Sequence, residues 1–432
     1  MNNNIKEEKI ILEEQIKIIT KLYNEKKFQE IILLTENLLK EHNDNLNLLN
    51  AMALGYKGVG KSEKSKEIYQ KILQLELNPN LSYVYSNAGN LFLDLGEVDK
   101  AVECHNITLR FDKNNLNSIN GIGLAYVNSG KGEEAIKCFK QALSIDPKDD
   151  YSNFNLGNVY RIEKRFKEAI DCYEYSERKL SKSNQLECIY KDNDKGLFNE
   201  KLRILIDKGP IDPLIASLSS HASIRFSQKD ECPFCPDPMN FIHNSSAYDD
   251  ERFNDELIGR FLNDINNAKI SKKVQSLLVN GVQSSGDLFL HNFHSVNLIK
   301  EIINDYVNAY REKFSNKKEQ LIMNFPKNYK IIGWVVIMNS GGNLAPHMHK
   351  EGWLSGGIYL QIPKRKLSND GNLELGLHGG AYPSDGKKYP SRIVDINKGN
   401  IVMFPSSLFH STLPFKSKKN RVTLAFDVVP LV

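Results

Sequence analysis

Three histidines near the carboxyl end of the chain have the residue type and the spacing of a metal site. The segment 341–360, GGNLAPHMHKEGWLSGGIYL, contains His347, His349 and Glu351. Alternate residues of an extended chain point to the same side, so these three side chains can face one cavity. His410 follows 63 residues after His347, just beyond the apolar segment IVMFP. Iron(II) that must also hold a cosubstrate and dioxygen needs protein ligands on one face, and two neighbouring strands can supply them.

An arginine and a threonine on the last predicted strand suit a carboxylate cosubstrate. Arg421 opens the segment RVTLAFDVVP, and Thr423 lies two residues further along, on the same face of the strand. A guanidinium fork matches the two oxygens of a carboxylate, and a hydroxyl adds one more hydrogen bond. We therefore expect Arg421 and Thr423 to hold the far carboxylate of 2-oxoglutarate, whose other end chelates iron(II) beside dioxygen.

Short apolar segments separated by turn residues must position these side chains. The segments IIGWVVIM, GGIYLQIP, NIVMFP and RVTLAFDVV are rich in β-branched and aromatic residues. They predict an antiparallel β domain in which two sheets face each other, with helices packed outside. Two such helices are expected over about 250–315, the second with a buried stripe at three- and four-residue steps. That stripe consists of Ile299, Ile303, Tyr306, Tyr310 and Phe314.

The N-terminal half of the chain repeats with a period of 34 residues. Three sets of residues recur at this spacing: Gly89, Gly123 and Gly157; Phe92, Tyr126 and Tyr160; Ala101, Ala135 and Ala169. The pattern resembles the tetratricopeptide repeat, a pair of helices that stacks on its neighbours. Three clear units over about 82–183, with two fainter ones before them, predict an α-solenoid of about five units. Its concave face is expected to bind a protein or peptide.

The C-terminal segments resemble the iron(II)/2-oxoglutarate-dependent oxygenases with a double-stranded β-helix core, and among these the oxygenases that carry tetratricopeptide repeats. The resemblance rests on GVQSSGDLF, GGNLAPHMHKEGWLSG, FPSSLFHSTLPF and RVTLAFDVVP, and it covers about 210–432. It implies a jelly-roll domain with dioxygenase (hydroxylase) activity. The expected domains are a solenoid at 12–183, a helical cap and connector at 184–240, and the oxygenase domain at 241–432.

One position departs from the usual pattern of these oxygenases, which is His-x-Asp or His-x-Glu followed by a distal histidine. His349 stands where the carboxylate is expected. Three ligand sets are therefore open: His347, His349 and His410 together; His349, Glu351 and His410; or His347 and His410 alone, as in the aspartyl/asparaginyl hydroxylases. The first is our preferred hypothesis. Leu344 is a second departure, because prolyl hydroxylases often carry a tyrosine there, near the cosubstrate.

A C-x-x-C motif lies in the predicted connector. Cys232 and Cys235 stand among three prolines in ECPFCPDP. A zinc site needs four ligands, and only His221 and His243 could complete the set, at a spacing that matches no common pattern. We therefore expect this segment to be a rigid connector.

Composition excludes several classes of function. The chain has 432 residues, of which 41% are hydrophobic and 25% charged, as in globular proteins. A net charge of +4 does not indicate nucleic-acid binding, and no apolar run approaches the ~20 residues of a membrane span. Six cysteines form no disulfide framework and the first residues do not resemble a signal peptide, so a cytoplasmic enzyme is expected. The rival hypothesis is an interaction scaffold with a catalytically silent barrel, or one with a purely structural metal, and an intact Arg421 argues against both.

Overall fold

The computed structural model describes residues 2–209, 211–268, 270, 272–273 and 275–431, with side chains from residue 11 onward except at 272 and 273. The chain divides into two compact units, Met1–Lys182 and Ser183–Val432. The first unit is helical, and the second combines helices with an antiparallel sheet.

The described helices of the first unit pack in consecutive pairs. They are α1 (Asn2–Asn24), α2 (Phe28–Leu38), α3 (Leu46–Gly58), α4 (Ser62–Gln74), α5 (Ser82–Asp94), α6 (Val98–Phe111), α7 (Leu116–Asn128), α8 (Gly132–Ile145), α9 (Asp150–Ile162) and α10 (Phe166–Glu174). Each of the five pairs is a helical hairpin, which is the unit that the 34-residue period predicts.

The turn inside each hairpin has the same backbone conformation. Positive φ angles occur at Lys26, Gly60, Gly96, Gly130 and Lys164, one in each turn, at spacings that follow the repeat period. Glycine takes this left-handed conformation without a steric penalty, which explains its presence at three of the five turns. The period of the sequence therefore corresponds to a backbone conformation that recurs in each hairpin turn.

A glycine on the first helix of a pair makes room for an aromatic ring on the second. In the α7–α8 pair, a Cβ atom built on Gly123 would lie 2.6 Å from the ring of Phe139, which is fully buried. The same contact occurs one period earlier between Gly89 and His105, and one period later at Gly157. The recurring glycine is thus a consequence of close helix packing.

The Gly123→Ala substitution is therefore expected to destabilise the solenoid. Alanine gains about 1 kcal/mol of helix propensity, but overpacking a buried ring costs about 1–3 kcal/mol, so unfolding should become easier. The matched control is Gly132→Ala on α8, where the new Cβ would meet only the end of the exposed, flexible Glu163 side chain. Thermal unfolding followed by helical circular dichroism measures both variants. Equal melting temperatures for the two would contradict the packing argument.

The described part of the second unit contains six α-helices and ten strands. Its helices are α11 (Ser181–Lys191), which begins at the end of the first unit, α12 (Lys195–Lys208), α13 (Pro213–Arg225), α14 (Asp255–Asn267), α15 (His294–Lys313) and α16 (Gln320–Met323). Its strands are β1 (His243–Ser246), β2 (Lys272–Lys273), β3 (Leu278–Ser284), β4 (Tyr329–His347), β5 (Leu354–Gln361), β6 (Leu373–Gly376), β7 (Ser391–Val394), β8 (Asn400–Pro405), β9 (Phe409–Thr412) and β10 (Arg421–Pro430).

The strands of the described residues form one antiparallel sheet that folds over itself. The strand order is β1-β8-β5-β10-β4-β9-β6-β7, and β3 pairs with both β2 and β4. The long strand β4 pairs with β10 over Tyr329–Met338, and at its far end His347 pairs with His410 of β9. Side chains from β5 and β8 pack against side chains from β6 and β7 in one buried cluster, so the core lies between the two halves of the sheet. The predicted fold, an α-solenoid followed by a double-stranded β-helix domain, is confirmed.

The two helices expected before the strands are α14 and α15. Ile299, Ile303 and Tyr310 of α15 are buried, as the stripe predicts, whereas Tyr306 is half-buried and donates a hydrogen bond to the carbonyl of Ser246 (2.7 Å). None of the described helices combines the length and the apolar character needed to cross a membrane.

Candidate active site

Three histidines converge where β4 and β9 meet. His347 is the last residue of β4 and is paired with His410 on β9, and their ring centroids lie 4.1 Å apart. The ring of His349 lies 5.3 Å from that of His347 and 4.8 Å from that of His410. One ligand atom from each of the three falls within 4.8 Å of the others, and within the described residues no other group of three or more potential ligands does so.

Hydrogen bonds leave the outer ring nitrogens of two histidines available. Nδ1 of His347 lies 3.0 Å from the carbonyl of Ala345, and Nδ1 of His349 lies 2.7 Å from Oδ1 of Asp427. Both oxygens accept, so both Nδ1 atoms donate, and each Nε2 atom offers a lone pair to a metal when its ring is neutral. Nδ1 of His410 is buried and has no hydrogen-bond partner among the described residues. The donor set therefore fits a metal ion.

The local electrostatics keep two of these rings neutral. Burial, together with the neighbouring His349, lowers the pKa of His347 to about 4. Burial also lowers the pKa of His410 well below its usual value, and the two neighbouring histidines lower it further. Burial alone would lower the pKa of His349 too, but its contact with Asp427 outweighs this effect and raises the pKa. At neutral pH the rings of His347 and His410 can accordingly bind a metal without first losing a proton.

Glu351 lies outside the cluster. Strand β4 ends at His347, so the alternation that would place Glu351 beside His349 no longer applies, and the Glu351 side chain is exposed. Lys350, between the two, is held by Glu187 of α11 (Nζ to Oε2, 2.6 Å) and by Asn184 (3.0 Å). These contacts fix the turn that carries His349.

Arg421 reaches the same cavity from β10. The side chain is buried, with the residue only 2% exposed, and burial lowers the pKa of its guanidinium. Its Nη1 donates to the Thr423 hydroxyl (2.7 Å), and its Nε donates to the carbonyl of Gly371 (3.1 Å). Within the described part of the chain, no carboxylate forms an ion pair with it. A buried cation without a counter-charge is costly, so the position suits an anionic ligand.

Tyr359 of β5 is a cavity residue that the sequence argument missed. The Arg421 guanidinium lies 5.0 Å from the centre of the Tyr359 ring, and the Tyr359 hydroxyl forms a hydrogen bond with Arg421. Leu344, which stands where prolyl hydroxylases often carry a tyrosine, lines this cavity. A phenol is nevertheless present, because β5 supplies one from a different strand.

One cavity of about 120 Å³ joins the histidines to the arginine. His347, His349 and His410 line one part of it, and Arg421 and Thr423 line another. An engineered protein cavity of roughly 150 Å³ binds benzene, so this volume is of the order needed for a small organic molecule. The apolar remainder of the wall includes Trp334, Val336, Met338, Leu373 and Phe404. The cavity thus combines three clustered histidines, a buried cation and a largely apolar wall.

Family models match both the C-terminal domain and the repeats of this chain. A model described as "Putative 2OG-Fe(II) oxygenase" matches residues 333–427, a span that contains the three histidines and Arg421. Two tetratricopeptide-repeat models match residues 123–161 and 151–174. The chain carries tetratricopeptide repeats and, C-terminal to them, a domain that matches the 2OG-Fe(II) oxygenase model.

Several solved structures are similar to part of the chain at low identity. A pilF protein of Pseudomonas aeruginosa is 12% identical, covers 47% of the chain and 94% of its own, and has a TM-score of 0.41. A tetratricopeptide repeat protein from Parabacteroides merdae is 13% identical, with coverages of 53% and 90% and a TM-score of 0.41. A Pseudomonas putida prolyl-4-hydroxylase is 10% identical, with coverages of 44% and 93% and a TM-score of 0.31. No curated protein sequence matches the chain significantly.

The C-x-x-C motif shows no metal-binding arrangement in the described residues. Cys232 and Cys235 are buried free thiols, and burial raises the pKa of both. His221 has both ring nitrogens in hydrogen bonds, to the Tyr190 hydroxyl and to His378 (2.8 Å), so neither is open to a metal.

Proposed function

We propose that the oxygenase domain is a hydroxylase that uses iron(II), 2-oxoglutarate and dioxygen. The observation that carries this proposal is the shared cavity, in which three histidines with available ring nitrogens and the unpaired, buried Arg421 line the same space. A catalytically silent scaffold needs neither the histidine cluster nor the buried cation. Bound iron in this class supplies the activation of dioxygen, coupled to the oxidative decarboxylation of 2-oxoglutarate to succinate.

In this proposal His347, His349 and His410 hold the metal. Three imidazole ligands would leave coordination positions of the iron open for the cosubstrate and dioxygen. The hydrogen bond from His347 to Ala345 and that from His349 to Asp427 fix the tautomer and the direction of each ring. Glu351 is the alternative ligand, and its exposure makes it the weaker candidate.

Arg421 and Thr423 hold the far carboxylate of 2-oxoglutarate, and Tyr359 is the third polar side chain beside it. The guanidinium already donates to Thr423 and Gly371, which keeps it fixed on β10 before any ligand binds. A pre-oriented charged donor in a buried site binds a carboxylate strongly because little ordering remains to be done. The buried residues of the wall exclude water from the reacting atoms.

The test of this function is the visible absorption of anaerobic protein during titration with 2-oxoglutarate. Protein loaded with iron(II) should develop a charge-transfer band as the keto acid chelates the metal, and succinate, which lacks the keto group, should produce none. Iron binding without a band would contradict 2-oxoglutarate as the cosubstrate. Failure to bind iron would favour the interaction scaffold.

The ligand set has its own prediction. His349→Ala should weaken iron(II) binding strongly, because it removes a ring nitrogen from the cluster, and Glu351→Ala should change it little, because that side chain is exposed. The two variants serve as controls for each other, and iron affinity is measured by competition with a coloured chelator. Loss of iron only in Glu351→Ala would establish the shifted ligand set, and full affinity in both would leave His347 and His410 as the sole ligands.

We also propose that the repeats recruit a protein or peptide to the oxygenase. The solenoid presents aromatic and amide side chains on the first helices of its hairpins, among them the exposed Tyr83 and Tyr151 and the partly buried Asn87. Repeats of this kind use an extended concave surface for binding.

A cytoplasmic location is part of the proposal, supported by the free thiols of Cys104 and Cys138.

A further inference from the structure

Asp427 is a buried carboxylate in direct contact with the histidine cluster. Its side chain is only 8% exposed, and its Oδ1 accepts hydrogen bonds from His349 Nδ1 (2.7 Å) and from the Ser355 hydroxyl (2.6 Å). No lysine or arginine of the described chain forms an ion pair with it. A buried carboxylate in such surroundings costs free energy, so its position next to a candidate metal ligand calls for an explanation.

The position of Asp427 on β10 explains why a carboxylate lies there. Arg421, Thr423, Ala425 and Asp427 alternate with the other residues of the strand and therefore share a face, because the pairing of β10 with β4 runs without interruption along this stretch. The first three of them line the cavity. One face of one strand therefore carries a cation at the end where the anionic cosubstrate is proposed to bind, and an anion beside the proposed metal ligands.

Through its hydrogen bond with His349, Asp427 can influence a metal bound by that histidine. A carboxylate that accepts the Nδ1 proton of a ligating histidine fixes the ring and makes its Nε2 atom a stronger donor. Three neutral imidazoles bring no negative charge to iron(II), unlike a ligand set that contains a carboxylate. Asp427 brings one negative charge to the far side of the His349 ring.

We propose that Asp427 is a positioning residue of the metal centre, and that through His349 it supplies the negative charge that a ligand carboxylate would otherwise provide. This inference rests on the proposed iron site. It assigns the His349–Asp427 pair, rather than His349 alone, to the place where a carboxylate ligand is expected.

The competing explanation is a purely structural one. Ser355 also contacts the Ser406 hydroxyl (2.7 Å), so Asp427 belongs to a small polar network that could simply join β10 to β5 and to the end of β8. A structural role predicts that loss of the charge changes the stability of the fold and leaves the properties of the bound metal unchanged. The metal-centred role predicts a change in the metal itself.

The experiment compares the wild-type chain with Asp427→Asn, which keeps the size and an acceptor oxygen but removes the charge. The matched control is Asp264→Asn on α14, where the carboxylate accepts a hydrogen bond from Ser295, away from the histidines. Iron(II) affinity, measured anaerobically by competition with a coloured chelator, should fall about 10- to 100-fold in Asp427→Asn and stay unchanged in the control. The reduction potential of the bound iron should rise, because the missing negative charge no longer favours iron(III).

A second variant, Ser406→Ala, removes the hydroxyl that contacts Ser355 and so disturbs the network, while it keeps the Asp427 charge and the bond from His349 to Asp427. It should retain iron affinity close to that of the wild type. If it loses as much affinity as Asp427→Asn, or if Asp427→Asn lowers only the melting temperature, the inference is overturned in favour of a structural role. Iron binding by the wild type with equal affinity and potential in Asp427→Asn would overturn this inference alone, whereas absence of iron binding by the wild type would overturn the proposed function as well.

Discussion

Replacing His410 by alanine is expected to abolish stoichiometric iron(II) binding. In the proposed metal site His410 is the ligand from β9, and without it the remaining histidines come from one short segment and would no longer enclose the metal from two sides. Loss of a residue that only supports a ligand costs about 10- to 100-fold in metal affinity, so loss of the ligand itself should cost more than about 100-fold. His347→Ala should have the same effect. The measurement is metal analysis after anaerobic dialysis against iron(II).

The control for this prediction is His294→Ala, which removes an exposed histidine from the start of α15. It should bind iron like the wild type. The His410 variant should remain folded without metal, because the native ring is neutral and Nδ1 makes no hydrogen bond that would be lost. Full iron occupancy in either His410→Ala or His347→Ala would refute the metal assignment.

The sequence was sufficient to predict the elements that have a strict period. The 34-residue repeat corresponds to hairpins whose turns and ring-on-glycine contacts recur in the same places, so identity at a fixed spacing had a direct structural cause. His347 and His410 could also be predicted to meet, because His347 ends one apolar strand segment and His410 follows shortly after another. The pairing of β4 with β9 brings them opposite each other.

Residues that depend on strand register were harder to predict. Tyr359 approaches Arg421 only because β5 pairs with β10, and Asp427 contacts a histidine 78 residues away in the chain. A partial signal was present, since the alternation that places Arg421 and Thr423 on one face continues to Asp427. Alternation misled at Glu351 for the opposite reason, because β4 ends before that residue and the chain turns.

Replacing Arg421 is expected to separate cosubstrate binding from metal binding. Arg421→Ala removes the buried cation that faces the cavity, and loss of one side of a buried charge pair costs about 2–5 kcal/mol. The concentration of 2-oxoglutarate needed for the charge-transfer band should therefore rise by roughly 30-fold to several thousand-fold, while iron affinity stays unchanged. Arg392→Ala, which removes an exposed arginine from β7, is the control and should alter neither. An unchanged 2-oxoglutarate titration in Arg421→Ala would exclude this residue as the carboxylate ligand.

The effect of an Arg421 substitution on the stability of the folded protein distinguishes a binding role from a structural one. In the protein without ligand, the Arg421 guanidinium is buried without a counter-charge, and its two protein hydrogen bonds compensate only part of the lost hydration. Arg421→Met has a similar volume and no charge, so the melting temperature of the ligand-free protein should stay the same or rise, while 2-oxoglutarate binding is lost. A large fall in melting temperature would mean that the arginine supports the fold. A stable protein that no longer binds the cosubstrate would show that the cost of burying this charge is offset when a carboxylate binds beside it.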